Sequence, residues 1–331
     1  MRKFQLSHAL VAVIAILTST SEGTTPCQAQ NLDGCSSSGL NAGLYADVDL
    51  IFTKPHVKES FESTRLEPLT GSLTLQPFSY DYSVSPKTTL GYRNPGGIGF
   101  RATHWMYDNS SNLRSEAATL TSFPGVSSVS VIFPAAISTT QPGDLLTTQA
   151  SMQFQTVDLE GTLDVFLPEI QMTISGGLRF ASMQQIFHGD VTRAAVPIQT
   201  LDWSREFDAA GLTFGVDGKH QLREINGFEV FLLGDLQGSL VYGDKTLKRN
   251  VVGDVTPPPN MTAPNLILDN LSEASGIFEI ALGFEVARDL ERAGRIFTRG
   301  QYHGQLWTAA GAPTLSFLGF EGFSVGLGWE R

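Results

Sequence analysis

Long segments of period-two alternation run through this chain, and no apolar run long enough to cross a bilayer as a helix follows its N-terminal region. A segment that alternates in this way has, as a strand, one apolar face and one polar face. The last residues, "FSVGLGWER", show the pattern cleanly: Phe323, Val325, Leu327 and Trp329 alternate with Ser324, Gly326, Gly328 and Glu330. An apolar strand left at a sheet edge invites aggregation. It must therefore find a pairing partner, and its apolar face must meet an apolar medium.

Reading for the same period gives a series of candidate strands. The first is Gly43 to Thr53, with Leu44, Ala46, Val48, Leu50 and Phe52 opposed to Tyr45, Asp47, Asp49 and Thr53. Lys87 to Arg93 and Gly97 to Tyr107 follow as a hairpin around "NPGG". Then come Gln155 to Phe166, Met172 to Phe187, Phe207 to Gly218, Gly227 to Gly243, Gly276 to Ala287, Arg295 to Trp307 and Thr314 to Arg331. Most of these exceed the five or six residues usual in soluble sheets and reach the roughly nine to eleven that a tilted membrane strand needs. Length favours a membrane.

The connections alternate as well. Residues 54–86, 108–154, 188–206 and 244–275 read as long loops, while 94–96, 167–171, 219–226 and 288–294 are short, and only "TAAGAP" breaks the order. One rim then carries the elaboration and the other carries tight turns, as in outer-membrane barrels. The loop 108–154 has room for a further hairpin around "VSSVSVIFP", and "LREIN" and "ARDLERAG" could each add a helical turn. The expected fold is all-β, a closed antiparallel up-and-down transmembrane β-barrel of about 10–12 strands within a range of about 8–14.

At the N-terminus Arg2 and Lys3 precede the apolar run Ala9 to Thr18, which reads as an export signal over residues 1–29, cut after Ala29. A linker, 30–42, leads into a single barrel domain, 43–331. Cys27 and Cys35 are too few for a disulfide framework. A net charge of -11 argues against nucleic-acid binding, which needs a basic stripe. The six histidines are scattered without metal-ligand spacing, and no nucleophile elbow or phosphate loop occurs, so no catalytic, cofactor or metal residue is assigned.

Alternation alone does not separate a membrane barrel from a soluble β-sandwich. Glycines on the polar faces, as in "GLTFGV" and "SVGLGW", favour strong curvature. Aromatics near strand ends (Trp105, Tyr107, Phe166, Phe187, Phe207, Tyr242, Trp307 and Trp329) favour an interfacial girdle. Several stretches also resemble a known family. "TTLGYRNPGGIGFRATHWMYD" resembles the first hairpin of outer-membrane barrels abundant in planctomycetes and related to the Legionella major outer membrane protein family; "SGGLRFASMQQ", "FDAAGLTFGVDG" and the C-terminal region resemble its later strands. The resemblance runs from about Gly43 to Arg331 and implies a single outer-membrane β-barrel of a pore-forming family. Barrels of that kind generally end on an aromatic residue read by the assembly machinery, whereas here Glu330 and Arg331 follow Trp329.

In such a barrel the polar faces line the lumen. The charges expected there are Asp47, Asp49, Asp158, Glu160, Asp164, Asp217, Glu279 and Glu285, opposed by Arg101, Arg179, Arg295 and Arg299. Rings of charge select ions in a wet lumen, but in a narrow barrel they pair and fill it. Phe323, Val325, Leu327 and Trp329 are expected to face lipid, with the small residues between them leaving the lumen open. The functions in view are a porin-like channel for small hydrophilic solutes or a structural surface protein, in contact with outer-membrane lipid and the barrel-assembly machinery. A secreted ligand-binding sandwich and a barrel enzyme are the alternatives.

Overall fold

The structure is a computed structural model describing residues 42–331, apart from 58–60, 68–71, 122–124, 132–136, 168–169, 254–264, 291–292 and 309–316. The expected export signal, both cysteines and nearly all of the expected linker lie outside the described residues.

Ten strands form the barrel: β1 (Gly43–Val57), β2 (Ser83–Arg93), β3 (Ile98–Ser110), β4 (Leu145–Phe166), β5 (Ile170–Arg193), β6 (Val196–Ile225), β7 (Phe228–Gly253), β8 (Leu266–Leu290), β9 (Gly294–Trp307) and β10 (Leu318–Glu330). Each pairs antiparallel with its neighbours in sequence, and β10 pairs with β1 from Tyr45↔Glu330 to Val57↔Leu318. The sheet is closed. The C-terminal strand therefore has two partners and leaves no edge.

Glu330 and Arg331 also find places. Glu330 lies opposite both Tyr45 and Arg295, with its carboxylate 3.9 Å from Lys219 Nζ, and the Arg331 N–H donates to Leu44 O at 2.9 Å. The two residues finish the ladder at the short-turn rim.

Strand lengths divide the wall in two. β4 to β8 have 22 to 30 residues, whereas β1 to β3, β9 and β10 have 11 to 15. At about 3.3 Å per residue the longest strand is roughly 100 Å long and, tilted near 45°, rises about 70 Å, against an apolar band of about 25 Å in membrane barrels. The tall wall thus stands well beyond the height of such a band.

Several connections differ from expectation. The loop expected at 188–206 is almost entirely strand: β5 and β6 meet at a two-residue turn, Ala194–Ala195, both with positive φ (48° and 66°). The expected loop 244–275 is likewise shortened by the ends of β7 and β8. "LREIN" and "ARDLERAG" begin as strand rather than helix, because the alternation of their neighbours continues into them. "VSSVSV" does form a strand (Gly125–Val131), but it joins a small loop sheet with Phe61–Glu67, Thr119–Thr121 and Ile137–Ser138, not the barrel.

At the other rim the turns are tight. Asn94 caps the β2–β3 turn by accepting the Gly96 and Ile98 N–H groups on its side-chain oxygen at 2.9 Å each. Asn226 and Gly227, with φ of 52° and 78°, supply the left-handed pair that a two-residue hairpin between β6 and β7 requires.

Candidate functional site

Burial alternates along the barrel strands, which separates an inward from an outward row. On β10 the outward Phe323, Val325 and Leu327 are exposed at 53%, 57% and 67%, and Trp329 is half-buried with its indole N–H donating to Ala293 O at 2.7 Å. Outward apolar residues continue around the barrel, with Val48 and Leu50 on β1, Leu212 and Phe214 on β6, and Phe278, Ile280, Leu282 and Phe284 on β8. The belt ends in register. Gln155 pairs with Ser182, Ser182 with Asp208, Asp208 with Asp244 and Asp244 with Ser272, giving a polar outward ring across the tall wall.

Within the belt the inward row carries charge. Arg179, 1% exposed, donates Nε and Nη2 to the two carboxylate oxygens of Asp158 at 2.6 Å each, and its Nη1 lies 2.6 Å from Glu279. Arg101 donates to Glu160 (2.8 Å), Asp217 (2.6 Å) and Ser175 (3.0 Å). Arg299 pairs with Asp49 (2.8 Å from Nε) and with Asp47. Arg93 meets Asp164 at 2.6 Å, Arg295 meets Glu229 at 2.7 Å and Lys219 meets Glu285 at 2.9 Å. Gln237 bridges the groups by donating to Glu160 at 3.1 Å and to Thr213 at 3.1 Å.

All twelve charges singled out from the sequence thus lie on the inward row and are paired. The pairing also recruits Lys87, Arg93, Lys219 and Glu229, which the sequence reading did not count among the inward charges, and Asp235 joins the same row. Lys219 lies one residue past the expected end of its strand. Glu229 and Asp235 share the parity of Gln237 within a strand that was expected, so continuing that row would have found both.

The space beside Gly326 and Gly328 of β10 is occupied. A Cβ at Gly326 would fall 1.9 Å from Asp49 Oδ1 and 3.0 Å from Arg299 Cγ, and one at Gly328 would fall 2.1 Å from the Phe297 ring. These glycines admit the charged cluster against the strand backbone.

Above the belt the inward row turns apolar. Trp105, Tyr107, Phe154, Trp307 and Phe320 interlock, with Phe154 edge-on to Trp307 and Phe320 at 5.1 Å each and Tyr107 edge-on to Phe320 at 4.9 Å. Met183, Phe187, Val191, Leu201, Phe207 and Val241 continue the cluster outward. Five of the eight residues expected in an interfacial girdle, Trp105, Tyr107, Phe187, Phe207 and Trp307, are therefore interior, and Phe166 and Tyr242 are exposed. Parity explains the correction: Trp105 and Tyr107 continue the row of Arg101, not the row of Met106. Where charge and aromatic layers meet lies a cavity of about 30 Å³, lined by Lys87, Asp235, Glu279, His303, Trp105 and Phe320 among others.

The family model described as the Legionella pneumophila major outer membrane protein precursor matches residues 38–308. The chain belongs to this family. Its barrel is accordingly an outer-membrane barrel. No curated protein sequence matches it. Among solved structures, the outer-membrane protease OmpT of Escherichia coli is similar at 11% identity and a TM-score of 0.41, covering 87% of this chain and 96% of that one. The toluene transporter TbuX of Ralstonia pickettii follows at 11% identity and a TM-score of 0.26, covering 88% and 90%. No statement about this chain rests on likeness at that level.

Proposed function

We propose that this outer-membrane barrel is a sealed surface protein whose lumen is filled by its own side chains. The observation that carries the reading is the continuity of the filling, from the Arg101, Arg179 and Arg299 clusters to the aromatic layer, with a cavity of about 30 Å³ between them. That volume holds about one water and no solute. Ten strands support the same reading, because barrels near eight strands are just wide enough for side chains to fill, and open channels need many more. The belt would be solvated by outer-membrane lipid, and the C-terminal strand would be read by the barrel-assembly machinery. No catalytic step enters the reading.

Purified protein that migrates heat-modifiably in detergent is expected to give no conductance steps in planar bilayers. Discrete steps at neutral pH would overturn the sealed reading, and hydrolysis of ester or peptide substrates would overturn the non-catalytic one. A second reading, a porin-like channel for small hydrophilic solutes, is favoured by one feature: the membrane half is lined by charge rather than by apolar side chains, as ion-conducting lumens are. Passage would then require the ion pairs to part, and conductance would rise in variants such as Arg101→Ala.

A further inference from the structure

Several segments outside the barrel strands reach the apolar interior of the outer half, where Tyr80 and Val129 are buried and Phe78 packs edge-on against Phe187 at 5.7 Å, and one of them leads directly into the wall. Residues 137–143 lead from the loop sheet to the start of β4. Ile137, 1% exposed, packs in the cluster of Leu146, Phe187, Val191 and Leu201. A Cβ at Gly189 would meet Ile137 Cδ1 at 3.1 Å, so the glycine provides the space that the isoleucine fills.

Ile137 and Ser138 take their ladder partners, Val131 and Ser130, from the loop sheet and not from the barrel. Side chains make the ties to the tall β5–β6 hairpin. The Ser138 N–H donates to Gln199 Oε1 at 3.0 Å. At the hairpin tip Arg193 donates Nε to Asp144 Oδ1 at 2.7 Å, and Nη2 to Asp144 Oδ2 and Thr140 Oγ1 at 2.9 Å each. The Asp144 carboxylate, with no exposed area, also accepts the Thr140 and Gln141 N–H groups at 2.9 Å each and so turns the segment. Gly143, with φ of 86° and open space where a Cβ would stand, gives that turn a hinge.

We propose that residues 137–143 form a strap that stoppers the outer half of the barrel, latched by Arg193 on Asp144 and Thr140, and that unlatching it exposes the apolar vestibule of Phe187, Val191 and Leu201 to the outside. The inference rests on the sealed reading, since the aromatic layer below keeps the membrane half shut when the strap moves. Opening a barrel strand means breaking a whole ladder. Releasing the strap together with the loop sheet means losing a few side-chain bonds, the main-chain bond from Gly143 N–H to Ala118 O at 3.1 Å, and the burial of Ile137 and Val129.

The test uses Val191→Cys in a chain whose Cys27 and Cys35 are replaced by Ser, labelled on whole cells with a membrane-impermeant maleimide, and Asp202→Cys as the exposed reference. Val191→Cys is expected to react far more slowly than the reference, and Arg193→Ala is expected to speed its labelling by about tenfold or more, because a charge-assisted latch controls the local opening. Arg193→Lys, which keeps charge but loses the two-pronged contact, should fall between. Equal rates with and without Arg193 in heat-modifiable protein would overturn the strap, as would a parent rate matching the reference. If Arg193→Ala does not fold, Thr140→Val and Asp144→Asn carry the same comparison. Bilayer conductance of the parent is read in parallel: steps there sink the sealed reading and leave the labelling result to judge the strap alone.

Discussion

The membrane half and the outer half of this barrel are built from the same strands with their faces exchanged. In the membrane half Leu212 and Phe214 point out while Thr213, Gly215 and Asp217 point in; farther along β6, Asp202 and Asp208 point out while Leu201 and Phe207 point in. Each half has one apolar row, which faces outward in the belt and inward above it. The halves should therefore fail differently. Arg179→Ala leaves the buried Asp158 without its cation and the half-buried Glu279 with only Lys87 at 4.0 Å, and should cost about 3–5 kcal/mol. Urea unfolding in detergent micelles measures it. Replacing the cluster as a whole by Met and amide residues should cost much less, because breaking such a set is worse than removing it.

In the outer half the corresponding lesion is a cavity. Phe154→Ala removes the ring that packs with Tyr107, Trp307 and Phe320 and should cost about 3–5 kcal/mol, seen as faster hydrogen exchange in the upper parts of β4 and β5. Exchange in the belt should change least. If both halves loosen equally, they form one cooperative unit and the contrast between them is only chemical. A smaller effect is expected on the lipid face, where Val325→Arg near the middle of the belt should cost about 2–4 kcal/mol of folding into bilayers and little in the outer half.

How much of this was legible in the sequence follows from the same contrast. Alternation exposes parity wherever it persists, so the closure of β10 on β1 and the inward row of charges were readable. What parity does not state is which side is wet. Trp105 and Tyr107 sit on the row of Arg101, and only the height of the membrane says that this row turns from charge to aromatic packing above it. The tall β5–β6 hairpin was hidden for a second reason. Its turn is Ala194–Ala195, with both residues in the left-handed region that Asn and Gly normally fill, so the sequence carries no turn signal and the outer strands read as loop.

That turn makes a further prediction, of opposite sign. Ala194→Asn with Ala195→Gly relieves two strained residues and should stabilise the outer hairpin by about 1–2 kcal/mol, read as slower protease cleavage near the tip. Asn226 and Gly227 already hold the equivalent turn at the opposite rim. Changing them to Ala should reproduce the strain that the outer tip now carries.

The smallest expected effect separates the halves by pH. His188 lies outside the belt on β5, between Asp202 (2.7 Å from Nδ1) and Asp190 (2.8 Å from Nε2), and hydrogen bonding to Asp202, then to Asp190, raises its pKa. A raised folded value means that the stabilisation is complete below the ordinary histidine range and is lost as pH rises through the shifted one. Asp144 has the opposite sign: the Arg193 guanidinium holds its carboxyl well below the usual carboxylate range, so its contribution persists through neutral and mildly acidic pH. Between about pH 6 and 8 the outer hairpin should therefore loosen slightly through His188 while the Arg193 latch is unaffected. Protease susceptibility of the hairpin across that range checks this, and Asp202→Asn should flatten the profile. A profile that persists in His188→Gln would move the titration to some other group and leave His188 with no part in it.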